Sequence, residues 1–203
     1  QMAKVLEKIQ LKLNKHNLTI NDSQHAFTIG RSMVSALANI TQNWFNATNN
    51  PSTKNNGVHV LFIDFSKAFD LVDHGNLLRK LANLEENKSF WLWTRSFLKD
   101  GTQQVNLLGT QSSIKCCPAG VPEGSVMSPM LFNVHVDDLE NVMPNNLSMN
   151  TCKYADDCTQ DEIVVLGSTS HMQKVLETSQ EWAIDNRMRI NPDKTKDMWI
   201  CFN

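Results

Sequence analysis

The chain has 203 residues, 41% hydrophobic and 20% charged, with 19 Lys and Arg against 21 Asp and Glu for a formal net charge of −2. That balance fits one domain or one compact piece of a larger protein and excludes a disordered chain. No stretch approaches the roughly 18 apolar residues of a membrane span, and Gln1 to Gln10 lacks the apolar core of a signal peptide, so an intracellular protein of the nucleus, the cytoplasm or both, with no membrane partner, is expected.

From Met2 to about Asn14, Val5, Leu6, Ile9 and Leu13 fall at helical spacing, which predicts a helix with Lys4, Glu7, Lys8 and Lys12 on its solvent face. Asn14 to Ser23 is polar and loop-like. Ser32 caps a second predicted helix whose apolar stripe is Val34, Leu37, Ile40 and Phe45. The Asn-, Ser- and Thr-rich run from Asn46 to Gly57 is a loop. Val58 to Phe65 is a short apolar run, expected as a buried strand that carries Asp64 at its end. One helical pattern runs from Asp73 to about Lys99. Gln104–Leu108 and Ser112–Cys116 form a predicted hairpin about Gly109, and Pro118–Pro129 is a loop. Met130–Val142 is expected as a helix, Met149–Tyr154 and Cys158–Val164 as strands flanking Asp156-Asp157, His171–Asn186 as a helix, and Met198–Phe202 as a last strand. Strands and helices mix without strict alternation, so the fold class is α+β.

The five cysteines, Cys116, Cys117, Cys152, Cys158 and Cys201, include no CxxC pair and read as free thiols. Sequons at Asn17, Asn39 and Asn46 read as chance in an asparagine-rich chain. Both ends read as cut, Gln1 inside a helical pattern and Trp199–Phe202 inside a strand-like run, so a fragment of a longer protein is expected.

Three carboxylates stand where strands end or turn: Asp64, Asp156 and Asp157. Clustered carboxylates repel one another unless a cation lies among them. Phosphoryl transfer asks mainly for such cations, two of them about 4 Å apart, to hold the attacking and leaving oxygens. An Asp-Asp pair alone more often marks a solvated turn. A second pair, Asp137-Asp138, lies in the predicted helix after Pro129 and reads as a solvated helix face; only Asp156-Asp157 lies between two strands.

Read together, the motifs resemble the reverse transcriptase domain of retrotransposons without long terminal repeats, in the jockey and chicken-repeat-like group. Phe62-Ile-Asp64-Phe-Ser-Lys-Ala-Phe-Asp70, with Val72 and His74, is similar to the first catalytic motif of that family. Gly120 to Pro129, followed by Leu131-Phe-Asn133 and Asp138-Leu139, resembles the nucleotide- and template-binding loop. Tyr154-Ala-Asp-Asp157 resembles the paired-aspartate signature, and Trp182 with Asn191–Thr195 the segment after it.

The resemblance implies a polymerase right hand, fingers in about 1–57 and 100–128 and palm in about 58–99 and 129–203, with an antiparallel palm sheet packed on helices and the thumb absent. It implies RNA-directed DNA polymerase activity, with an RNA template, a DNA primer and deoxynucleoside triphosphates as partners, beside a thumb and an endonuclease domain of the same polyprotein. Asp64, Asp156, Asp157 and the Phe65 carbonyl would bind Mg2+, with Mn2+ as the alternative ion. Phe69 would be the steric gate at the sugar 2′ position, Tyr154 would touch the primer, Arg31, Glu123 and Gly124 would face the nucleotide, and Lys194 would protonate the leaving pyrophosphate. An arginine fork suits a phosphate.

The pattern departs from the family at three places. Glu123 replaces the usual glutamine, which adds charge repulsion beside phosphates and removes an amide donor. Ser128 replaces a glycine and is expected to strain the loop. Thr28 and Ile29 stand where basic residues are common. The net charge of −2 also counts against nucleic-acid binding. These departures keep a second reading open, a degenerate module that keeps the fold and binds nucleic acid or protein without catalysis. A two-metal nuclease is a third reading, opposed by Phe69, since a nuclease needs no nucleotide gate.

Overall fold

A computed structural model describes residues 2–14, 18–49, 56–84, 87–144, 149–165 and 167–201. Helix α1 spans Met2–Asn14 and α2 Met33–Asn49; strand β1 spans Gly57–Ile63, and α3 (His74–Leu84) and α4 (Lys88–Leu98) follow. Four two-residue strands come next, β2 (Thr102–Gln103), β3 (Asn106–Leu107), β4 (Thr110–Gln111) and β5 (Lys115–Cys116). Helix α5 (Ser128–Val136), a 3-10 turn (Leu139–Val142), β6 (Met149–Tyr154), β7 (Asp157–Val164), α6 (Met172–Asp185) and β8 (Lys196–Ile200) complete the order. Helices and an antiparallel sheet mix as the α+β class requires. The Asn17 sequon and Phe202 lie outside the described residues.

The chain divides into two compact units, one within 1–19 and 69–135, the other within 20–68 and 136–203. The second holds the four-stranded sheet, in the order β6-β7-β1-β8, with every neighbouring pair antiparallel. Strand β1 is its spine because Val58, Val60, Leu61 and Ile63 are all almost fully buried, and an apolar run of that length can be buried on both faces. One face takes α2: Val58 and Val60 pack with Ala47 and Trp44, and Cys152 packs with Ala36 and Ile40. The other takes α6, where Ser179 Oγ donates to Gln160 Oε1 at 3.0 Å.

The buried stripe of α2 is therefore Ala36, Ile40 and Ala47, with Val34 75%, Leu37 56% and Phe45 59% exposed, a rotation away from the stripe predicted from hydrophobicity. The small alanines let the helix backbone lie close to the strands, and Ile40 and Trp44 fill the space left. Ser32 caps the helix as expected, its Oγ accepting from Ser35 N at 3.2 Å.

The outer edge of β6 is covered at its Lys153 end. Lys153 N donates to Ser23 O and His25 N to Lys153 O, both at 2.8 Å, so Ser23–His25 runs as a short parallel partner centred on Gln24. At that end the edge is closed to another strand. The Lys153 ammonium is buried, and it donates to Val136 O at 2.9 Å and Glu140 Oε2 at 2.8 Å.

In the first unit, α1 is inverted relative to its pattern. Val5, Leu6, Ile9 and Leu13 are 49–68% exposed, whereas Glu7 is 5% exposed. The reason is local: Glu7 Oε2 accepts from Ser125 Oγ (2.6 Å), Val126 N (2.7 Å) and Met127 N (3.1 Å). Three donors aimed at one carboxylate outweigh the apolar stripe. The single helix expected from Asp73 to Lys99 is two, because Asn87 caps α4 by accepting from Ser89 N and Phe90 N. The hairpin about Gly109 forms, with Leu108 and Gly109 both at positive φ, but it is broken into two short ladders.

The helix expected through Val142 stops at Val136. Asp137 and Asp138 are not a solvated helix face: Asp137 Oδ1 accepts from Asn21 N at 2.6 Å and Asp138 Oδ1 from Trp182 Nε1 at 2.9 Å. Burial pushes the Asp137 carboxyl up, partly offset by the Asn21 bond. Both act as ties between loop, turn and α6 within the second unit.

Candidate active site

The ladder between β1 and β7 ends with Ile63 opposite Cys158. One step further along both strands stand Asp64 and Asp157. Strands β6 and β7 close with Tyr154 opposite Asp157, so Ala155 and Asp156 form a two-residue turn, with Ala155 at φ +57°. The turn chemistry explains the tip, since a two-residue hairpin needs positive φ at its centre.

The segment after Asp64 is held by a second strand-like pairing. Ser66 N donates to Arg189 O at 2.8 Å and Asn191 N to Asp64 O at 2.8 Å, with Phe65 bridged antiparallel to Ile190. Asp64 N donates to Thr195 Oγ1 at 3.3 Å. The Phe65 ring is buried against Trp182, with ring centroids 6.0 Å apart. Residues 189–195 thus fix the backbone of Asp64, Phe65 and Ser66 and carry Lys194, whose Nζ lies 3.6 Å from Asp64 Oδ1.

Asp157 takes its electrostatics from its neighbours. Loss of surrounding water pushes the Asp157 carboxyl up, the negative charges of Asp156 and then Asp64 push it further, and Lys194 draws it down. Asp157 is near enough to Asp156 and Asp64 to feel their charge. Among the described residues, no group of three or more His, Cys, Asp or Glu side chains stands close enough together to hold a metal ion. Magnesium binds through one or two carboxylates and keeps water and phosphate as its other ligands, so hard oxygen donors need not close into a group of three to suit it.

Structure thus brings together Asp64, Asp156, Asp157 and Lys194. Tyr154 adjoins them in the chain, its ring packed against the cluster of Ala36, Ile40 and Cys152. Arg31 sits in the loop before α2. Its guanidinium donates to the carbonyls of Asp22 at 2.5 Å and Gln24 at 2.9 Å and pairs with the Asp22 carboxylate.

The remaining candidates belong to the first unit. Phe69 is half-buried, one face stacked on the fully buried Phe132 with ring centroids 4.1 Å apart and planes 14° apart. Glu123 and Gly124 are exposed in the loop. Gly124 has φ +70° with open space where a side chain would be, so the backbone angle alone calls for glycine there. Gly120 is constrained twice, by φ +87° and by the Asp70 carbonyl 2.7 Å from where a Cβ would sit. It is further bonded through its N–H to Val72 O at 2.9 Å and through its carbonyl to His74 Nε2 at 2.7 Å. The strain expected at Ser128 is not found. It begins α5 without a positive φ, and its hydroxyl donates to Pro122 O at 2.8 Å, tying the loop down.

Sequence reasoning missed two residues that shape these places. Glu7 anchors the loop, and its one signal was being the sole acid in α1. Gln24 is fully buried and bonded to Ala155; it sits in a polar loop where periodicity carries no information.

The family model for reverse transcriptase (RNA-dependent DNA polymerase) matches residues 1–200. The RNA-directed DNA polymerase from mobile element jockey of Drosophila melanogaster is 36% identical over 139 residues, 66% of this chain and 15% of that protein. The protein named "Probable RNA-directed DNA polymerase from transposon BS", also of Drosophila melanogaster, is 30% identical over 182 residues, 86% of this chain and 19% of that protein. The chain therefore spans less than a fifth of the length of these relatives. Among solved structures, telomerase from Candida tropicalis in complex with a TWJ fragment of telomeric RNA superposes with a TM-score of 0.69 at 14% identity, covering 98% of this chain and 34% of that one. Telomerase from Candida albicans gives a TM-score of 0.61 at 12% identity, covering 97% of this chain and 34% of that one. The structural likeness shows the fold alone, and the match across nearly the whole sequence shows the lineage: this chain belongs to the reverse transcriptase (RNA-dependent DNA polymerase) family.

Proposed function

We propose that this chain is the fingers-and-palm core of an RNA-directed DNA polymerase that adds deoxynucleotides to a primer 3′-hydroxyl. The observation that carries the reading is the coupled set of Asp64, Asp156 and Asp157 with Lys194 beside it. Asp64, Asp156, Asp157 and the Phe65 carbonyl would hold Mg2+, or Mn2+ in its place. When bound, the ions neutralise triphosphate charge and favour the ionised primer hydroxyl.

In this reading the chain's own groups do the following. The three carboxylates would hold the ions between the primer 3′-hydroxyl and the triphosphate, since carboxylates alone repel phosphate. Lys194 Nζ donates a proton to the leaving pyrophosphate. Phe69, braced by Phe132, presents an aromatic edge to the sugar 2′ position and excludes a hydroxyl there. Tyr154 supports the primer end, and the loop through Glu123 and Gly124 offers backbone to the nucleotide. Residues 58–99 and 129–203 act as palm, and 1–57 and 100–128 as fingers. The thumb, and an endonuclease domain, belong to the rest of a polyprotein of the relatives' length.

The second reading, a non-catalytic module, is favoured by Arg31, whose guanidinium is taken up by the 21–24 loop and so is withheld from a triphosphate. Primer extension on an RNA template with Mg2+ and four deoxynucleotides decides between them, with Asp156→Asn as control. Extension that vanishes in the control supports the polymerase. Silence of the folded chain joined to an upstream segment and a thumb from a relative, persisting in Glu123→Gln, supports the module.

A further inference from the structure

Gln24 has no exposed surface, and its primary amide is spent largely on one residue. Oε1 accepts from Ala155 N at 3.1 Å and from Ala26 N at 3.0 Å. Nε2 donates to Ala155 O at 3.4 Å. Both main-chain polar groups of Ala155 are thereby held by a single side chain, whose own place is set by the parallel bridge to Lys153. Ala155 is a non-glycine residue at φ +57°, a conformation in which Cβ crowds the following carbonyl. It persists only where its surroundings impose it. The next residue is Asp156 and the one after it Asp157.

We propose that Gln24 is a positioning residue that clamps Ala155 in the left-handed region and so sets the affinity of the Asp156–Asp157 turn for divalent cation. The proposal rests on the polymerase reading of these carboxylates. A buried amide suits the task because no water competes for its bonds, and because one planar group donates and accepts in the same fork. Without the clamp, Ala155 relaxes toward negative φ and the turn re-aims both carboxylates. Groups that orient ligands in this way are worth about 10- to 100-fold in metal affinity.

The test is Mn2+ binding to the full chain, read by electron paramagnetic resonance as loss of the free-ion signal, with thermal melting without metal as a folding control. Gln24→Met keeps the buried volume and removes all three bonds. It is expected to weaken Mn2+ binding by roughly tenfold or more. Ala155→Gly placed in the Gln24→Met background is expected to restore most of that affinity, since glycine adopts the positive φ unaided. Should Gln24→Met not fold, Gln24→Asn retains the amide, shortens its reach and is expected to show the same loss. A residue that only stabilised the fold would lower the melting temperature and leave the affinity of folded protein unchanged. Unchanged affinity in Gln24→Met, or no recovery with Ala155→Gly, overturns the clamp while leaving the metal reading intact. Absence of Mn2+ binding by the unsubstituted chain overturns the metal reading itself, and the clamp with it; binding that survives in Asp156→Asn does the same.

Discussion

Lys194 Nζ stands 3.6 Å from Asp64 Oδ1, and the same ammonium draws the Asp157 carboxyl down against the push of lost solvent and of two negative neighbours. One side chain thus serves two carboxylates, one just past the end of β1 and one at the start of β7. Lys194→Gln removes that pull as well as the proposed proton donor. General-acid removal lowers kcat by about 10²- to 10⁴-fold. The pH sign is also fixed. Asp157 must be ionised to hold a cation, its carboxyl already lies above the ordinary range, and without Lys194 it rises further. The acid limb of the activity profile therefore moves to higher pH in Lys194→Gln. A profile of unchanged shape would sink the electrostatic role.

Phe69 lies flat on Phe132, which fixes the ring's plane. Phe69→Val is expected to admit ribonucleotides, with discrimination falling by roughly 10- to 200-fold, the range that a pocket contact of this size carries. The lost stack also costs about 0.5–1.5 kcal/mol beyond the buried area. Steady-state kcat/KM for matched deoxy- and ribonucleoside triphosphates, beside a denaturant melt, measures both. Unaltered discrimination with the expected stability loss would make Phe69 a core aromatic only.

Helix α1 offers a paired test. Glu7→Ala leaves the buried N–H of Met127 and its neighbours without their carboxylate, a loss on the order of 1–3 kcal/mol. Leu6→Ser removes an apolar group that is 57% exposed and should change stability by about 0.5 kcal/mol or less. Urea unfolding of the two variants gives the order directly. The reverse order would restore the helix orientation that hydrophobicity alone suggests.

The same helix shows what sequence can and cannot convey. The extent of α1 follows from periodicity, which reports a local repeat. Its facing depends on where Ser125, Val126 and Met127 present their donors more than a hundred residues on, and no local pattern encodes that. The places of Asp64 at a strand end and of Asp156 and Asp157 at a hairpin tip were legible because turn residues and alternation mark such positions in the sequence. The break at Asn87 was visible only as an asparagine amid helix formers. Gln24 carried no signal at all, since its role comes from a bridge to Lys153 across the sheet edge.

The cysteines divide by burial. Cys116 and Cys201 are exposed, whereas Cys152 and Cys158 are buried, and burial pushes the Cys152 thiol up to about 11 and Cys158 to about 12. Thiolate is the reactive form. Alkylation of the native chain at pH 8 should therefore mark Cys116 and Cys201 within minutes and spare Cys152 and Cys158 until denaturant is added. Peptide mass spectrometry reads the order, and early labelling of Cys158 would show that β7 opens in the native state.

Asp161 is 2% exposed on the sheet face that packs against α2. Burial pushes its carboxyl up, Asn150 Nδ2 at 3.1 Å pulls the other way, and the Trp44 indole adds a weaker pull without a hydrogen bond of normal geometry. The folded carboxyl thus lies above its unfolded value. Its favourable contribution is present in full below the unfolded carboxylate range and is lost as pH rises through the folded value. At neutral pH the fold carries a buried charge that an amide would not. Asp161→Asn should therefore raise the melting temperature at pH 7, by about 2–4 °C for each kcal/mol recovered. The two proteins should converge as pH falls below the ordinary carboxylate range, provided other groups titrate alike in both. A stabilisation independent of pH would point to packing rather than ionisation, and a loss of stability at pH 7 would mean that the Asn150 bond to the charged carboxylate outweighs the burial it accompanies.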